Sequence, residues 1–155
     1  MTIEQEFKEN VSRIAAALER LAPREAVKSD AIQGDAFVWR ADESSLKLVT
    51  NVSRIDLSLL RGIERAKNIL LENTERFGRG LPANNALLWG ARGMGKSSLV
   101  KAVHKKIIDS IPGSLALIEI HREDIISLPI LLNILRDCPK QFLVFCDDLS
   151  FDPGE

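Results

Sequence analysis

The chain has 155 residues, enough for one domain or one and a part. Its 45% hydrophobic content is that of a globular chain, and 21 Lys+Arg against 22 Asp+Glu give a net charge of −1, which argues against a dedicated polyanion binder with a strongly basic surface. Cys138 and Cys146 are the two cysteines; they form no disulfide framework and, with two histidines, fit no zinc spacing.

The first segment reads as a helix. Thr2 and Gln5 make a capping box, and Ile3, Phe7, Val11, Ile14, Leu18 and Leu21 recur at helical spacing until Pro23. The face packs on its own domain or, alternatively, binds a partner as a short coiled coil. Farther on, Phe37-Val38-Trp39 and Leu46-Lys47-Leu48-Val49 read as short strands, with turns at Gly34, Asp35 and 41–45. A helix is expected from Leu57 through Phe77, ending near Gly78 and Gly80. Ala86-Leu87-Leu88-Trp89 fits a buried strand, 90–95 a loop and 96–111 a helix stopped by Pro112-Gly113. Next come a strand over 115–120, a helix over 123–135 broken or kinked at Pro129, and a strand over 142–146. Alternating strands and helices predict an α/β fold: a parallel sheet flanked by helices, preceded by an α-rich N-terminal region. The expected division is 1–52 for the N-terminal helical and irregular region and 53–155 for the sheet domain. No run of about 18 apolar residues and no N-terminal apolar h-region occur, so the expectation is a cytoplasmic protein without a membrane span.

Gly90-Ala91-Arg92-Gly93-Met94-Gly95-Lys96-Ser97 fits G-x-x-x-x-G-K-[ST], the Walker A pattern. A polyphosphate needs many donors at close range. Glycines let successive N–H groups turn into one concavity, and the following helix adds its positive end. Lys96 supplies a mobile charge for the outer phosphates, Ser97 a hydroxyl for Mg²⁺, and Ser98 completes the candidate ATP-binding set of Gly90, Arg92, Gly93, Met94, Gly95, Lys96 and Ser97. Chance delivers this pattern in about 1 in 200 chains of such length at average residue usage.

Phe142-Leu143-Val144-Phe145-Cys146 ends in Asp147-Asp148, which fits Walker B. A carboxylate at the end of a buried strand can reach a metal held at the phosphate loop. Asp147 is the candidate for the Mg²⁺ shell and Asp148 for polarising the attacking water, because the two tasks need different carboxylates. Many ATPases of this kind have Glu in the second position, and Asp has a shorter reach.

These two motifs resemble those of the AAA+ ATPases. More narrowly, Asn73-Thr74-Glu75-Arg76-Phe77, Gly80-Leu81-Pro82-Ala83-Asn84-Asn85, the segment from Leu88 to Ala102, and Phe145 to Phe151 resemble a family of predicted ATPases catalogued as domain of unknown function 815. The similarity runs from about Phe37 to Phe151, with Met94 standing where that family usually has Thr. The resemblance implies ATP and Mg²⁺ as ligands, ATP hydrolysis, a homo-oligomeric ring and an unidentified macromolecular partner. It also implies that Ile55-Asp56-Leu57 and Leu60-Arg61-Gly62-Ile63 line the adenine pocket. A sensor strand between 86–89 and 142–146, an arginine finger and a lid belong to the same pattern and have no counterpart here. The expectation is therefore the front part of a protein of roughly twice this length, with the sheet incomplete at its C-terminal end.

Other residues carry structural expectations. Lys101, Lys105 and Lys106 with His104 read as a solvated face, with no interleaved aromatic to suggest nucleic acid. Trp89 and Cys146 are expected in the core, His121 in a turn or core role. Glu119 and Glu123 reach the site only if their strand lies close to it. The leading expectation is an ATPase that remodels a partner. A nucleotide-dependent switch with little turnover is the alternative, and a P-loop kinase is disfavoured by the paired acids.

Overall fold

The computed structural model describes residues 3–21, 32–91, 93–147 and 149. Contacts divide the chain into two units, Met1–Ile32 and Gln33–Glu155. In the first, helix α1 spans Ile3–Leu21, as its spacing requires. Thr2 and Pro23, expected to cap and close it, lie outside the described residues.

The second unit is built on a mixed four-stranded sheet. Strands β1 (Ala36–Arg40) and β2 (Ser45–Leu48) form an antiparallel hairpin, with Phe37 opposite Leu48. Helices α2 (Glu64–Gly78) and α3 (Lys96–Ser110) follow. Then come β3 (Leu115–Ile120), α4 (Leu128–Leu135) and β4 (Gln141–Cys146). The order across the sheet is β2-β1-β3-β4, with β3 parallel to both its neighbours. Residues 33–52, grouped with the N-terminal region on sequence, thus supply strands to this sheet, which is mixed rather than wholly parallel.

Strand β3 is buried along nearly its whole length because both its faces are covered. Leu115 and Leu117 pack with Leu99, Val100 and Val103 of α3 and Leu70 of α2. Phe37 and Trp39 share the opposite face with Ile118, following the register and the two-residue alternation of strands. There Trp39, fully buried, donates from Nε1 to Ser127 Oγ at 2.7 Å. Ser127 closes a 3-10 turn (Arg122–Ser127) that leads into α4, and Pro129 sits in that helix's first turn, where its missing N–H costs nothing.

Besides the segment expected as a helix over 123–135, which is 3-10 as far as Ser127, two expected elements differ. The helix predicted from Leu57 is a 3-10 turn (Leu57–Leu59) followed by a break, and α2 begins at Glu64. Asp56 caps the turn by accepting from Ser58 N–H at 2.8 Å and from the Ser58 hydroxyl, and the hydroxyl first, then the N–H, draw its carboxyl pKa down. Glu64 accepts the Gly62 N–H at 3.1 Å, which holds the bend just before its helix. The second difference is 86–89, which joins no ladder among the described residues. Only Leu88 packs on the core; Leu87 is 69% exposed and Trp89 89%. An apolar run makes a strand only when a neighbouring backbone takes its hydrogen bonds, and β4 pairs with β3 instead. Trp89 is therefore on the surface, not in the core.

Among the described residues no helix is long and apolar enough to cross a membrane.

Candidate functional site

The glycine-rich loop joins the 86–89 segment to α3. Gly93 and Gly95 have φ of 82° and 79°, a region that a side chain would strain, so this loop shape requires glycine at both. Gly95 is the N-cap of α3, and its carbonyl accepts from Leu99 N–H at 2.8 Å. The first turn therefore presents backbone N–H groups toward the loop, as any helix start does. Met94 is exposed, and its N–H meets Ala91 O at 3.4 Å, so its longer side chain does not crowd the loop. Arg92 lies outside the described residues.

Lys96 turns back over this loop. Its Nζ donates to Gly90 O at 2.9 Å and to Ala91 O at 3.0 Å. Ser97, next along, donates from Oγ to Asp147 Oδ2 at 2.6 Å. That bond joins residues 50 apart in sequence and brings the two predicted motifs together at the end of β4. Ser98 is half-buried in the first turn of α3. Asp148, the expected water-polarising acid, lies outside the described residues.

The segment 57–63 lies against the same loop. Leu57, Leu60 and Ile63 pack on the core formed with α3, and a Cβ built on Gly95 would stand 3.7 Å from Leu60 Cδ2. An apolar wall thus stands beside the glycine-rich turn.

Several positions behave differently from their sequence expectation. His104 is fully buried, because it falls on the α3 stripe of Val100, Val103 and Ile107. Arg54 reaches it, with Nη2 3.4 Å from Nδ1. Burial, and then the Arg54 charge, lower the His104 pKa to about 4. Lys101 is also turned inward. Its Nζ lies 3.0 Å from Glu119 Oε2, and the two side chains are only 23% and 29% exposed. Lys105 does lie on an outer face, paired with Asp109 at 2.8 Å. Strand β3 is next to β4, and Glu119 stands opposite Phe145, two residues before Asp147. Cys146 is half-buried rather than in the core; burial first, and then the Asp147 charge, raise its thiol pKa. His121 is the N-cap of the 3-10 turn, in keeping with its expected turn role.

The loop before 86–89 is held by contacts that sequence reasoning missed. Asn73 Nδ2 donates to Asn84 O at 2.7 Å, and Asn84 N–H donates back to Asn73 Oδ1 at 2.9 Å. Arg76 Nε donates to Pro82 O at 3.2 Å. The end of α2 is closed by Gly80 N–H to Phe77 O and Leu81 N–H to Arg76 O, the paired bonds of a Schellman cap. Asparagines on a helix and in a following loop were the available signal, since both can pair with a backbone amide on both sides.

A family model described as "Protein of unknown function (DUF815)" matches residues 32–155. No curated protein and no solved structure matches the chain. The family match covers more than half of the sequence and includes the loop, Ser97 and Asp147, and the chain belongs to this DUF815 family.

Proposed function

We propose that this chain is an ATP-binding protein of the P-loop AAA+ type, acting in the cytoplasm as a homo-oligomeric ring that couples Mg²⁺-dependent hydrolysis to remodelling of a macromolecular partner. The observation that carries the reading is the Ser97–Asp147 hydrogen bond of 2.6 Å. A hydroxyl at a helix start and a carboxylate at a strand end are the donor set that a phosphate-bound Mg²⁺ takes from protein. Among the described residues no cluster of three or more His, Cys, Asp or Glu could hold a metal alone. That suits Mg²⁺, which draws most of its ligands from phosphate oxygens and water.

Each group has a task. The amides around Gly93 and Gly95 take up phosphate charge. Lys96 exchanges its two loop carbonyls for phosphate oxygens. Ser97 and Asp147 are the residues that would hold the metal. A metal held there would supply charge neutralisation for the transferring phosphoryl group. Leu60 and its neighbours offer the adenine an apolar wall. The sequence assigns water activation to Asp148.

The test is nucleotide binding, followed by fluorescence of an N-methylanthraniloyl ATP. Wild type is expected to bind it with Mg²⁺. Lys96→Ala is expected to abolish tight binding, and Asp147→Asn to remove the Mg²⁺ dependence. Asp148→Asn keeps binding and slows ADP release by about 10²-fold, the scale of a lost general base. No binding by a folded wild-type chain defeats the reading. The shorter reach of Asp148 favours a second reading, a switch with little turnover. Binding with no ADP released over hours selects that one.

A further inference from the structure

The sheet face that carries Asp147 holds a second acid that the proposed reaction does not use. Glu119 stands opposite Phe145 in the β3–β4 register. Glu119 and Asp147 are therefore one strand and two residues apart, a Cα separation of about 8 Å from strand spacing and rise. Lys101 Nζ sits 3.0 Å from Glu119 Oε2, with both side chains largely shielded from water. Lys101 follows Ser97 by one turn on the same face of α3. Two side-chain bonds thus run in parallel from the start of α3 to adjacent strands: Ser97 to Asp147, and Lys101 to Glu119. An ion pair on open surface contributes little. This pair lies within a Debye length of the Ser97–Asp147 bond, so an imbalance in it is felt there.

We propose that Lys101 and Glu119 are positioning residues that set the charge of the Ser97–Asp147 site: Lys101 cancels the Glu119 carboxylate, so that Glu119 neither attracts the metal nor repels the phosphates. The proposal rests on the nucleotide reading above. It predicts effects of opposite sign for the two partners. Lys101→Met leaves an uncompensated carboxylate, which draws Mg²⁺ and repels bare triphosphate. Glu119→Gln leaves an uncompensated ammonium, which does the reverse. At about 8 Å, and with an effective dielectric between protein and water, one charge changes the affinity for a divalent ion by about tenfold.

The experiment titrates N-methylanthraniloyl ATP into the full chain, first in EDTA and then across a Mg²⁺ series. Wild type, Lys101→Met, Glu119→Gln and the double variant are compared. Lys101→Met is expected to bind about tenfold more weakly in EDTA and to reach half-saturation at about tenfold lower Mg²⁺. Glu119→Gln is expected to shift both readings the other way. The double variant is expected to return to within about threefold of wild type, because the net charge is restored. A merely structural pair moves both single variants in one direction. Such same-sign shifts, or no shift beyond about twofold, overturn the proposal. Glu119→Gln removes a charge but little volume, so its sign alone decides the matter if Lys101→Met does not fold. A wild type that binds no nucleotide defeats both readings. A wild type that binds and loses binding on Lys96→Ala, while the pair variants move together, defeats this proposal alone.

Discussion

Lowering the pH from 7.5 to 5.5 is expected to cost the folded chain about 1.3 kcal/mol through His104 alone. The imidazole is fully buried, and its pKa falls from 6.5 to about 4. Burial is the first cause and the Arg54 guanidinium the second; Lys140 adds to them, while the Leu115 backbone and Asp35 pull the other way. Among the described residues, the ring's Nε2 meets no acceptor in hydrogen-bonding geometry, so the Leu115 contact is a weak counterweight. The folded pKa lies below the unfolded one. Between the two values the unfolded chain therefore binds a proton that the folded chain refuses. Stability from this group is complete above pH 6.5 and is lost as pH falls toward 4, to a limit of about 3 kcal/mol. Urea unfolding at several pH values measures it, with His104→Gln as the reference. That variant keeps an acceptor for Arg54 and has no titrating ring, and groups shared by both chains cancel in the difference. The wild-type curve should lose about 1.3 kcal/mol more than the variant over this range. Parallel pH profiles would refute the reasoning.

Two further perturbations probe the scaffold around the site. Trp39→Phe removes the buried Nε1–H bond to Ser127 and leaves a small void, at a cost of roughly 2 kcal/mol by urea denaturation. A loss below about 0.5 kcal/mol would mean that the bond does not anchor the 3-10 turn. Asn73→Ala removes both bonds to Asn84, and because the pair is exposed, global stability should fall by no more than about 1 kcal/mol. Hydrogen exchange at the Asn84 amide should rise at least tenfold, and an unchanged rate would show that the loop is held elsewhere.

The elements that were legible in the sequence are those whose signal is local. The α1 spacing, the α3 stripe after a glycine loop, and the apolar runs of β3 and β4 each announce their own period. The nearness of Ser97 and Asp147 was legible for another reason: each falls in a motif expected to meet the other, and the fold brings them to 2.6 Å. What escaped depends on neighbours distant in sequence. The run 86–89 is as apolar as β4, yet a ladder is a property of two backbones, and no local pattern names the second. Lys101 reads as a surface lysine until β3 is known to bring Glu119 beneath it. His104 could have been found, since it lies four residues after Val100 and three before Ile107; its charge-bearing neighbours drew it into the wrong group. Asn73 and Asn84 stood out as a family fingerprint, but their contact spans 11 residues and closes through backbone atoms that sequence does not display.

Lys96 holds the carbonyls of Gly90 and Ala91, so the loop has its curvature before any anion arrives. On the proposed function, nucleotide capture would be a substitution, in which phosphate oxygens replace these carbonyls around a single ammonium. Little chain has to be ordered in that exchange, and little apolar surface changes hands at the loop itself. If the proposed nucleotide reading holds, the heat-capacity change of binding should come mainly from the base settling against Leu60, and inorganic triphosphate, which has no base, should bind with almost none.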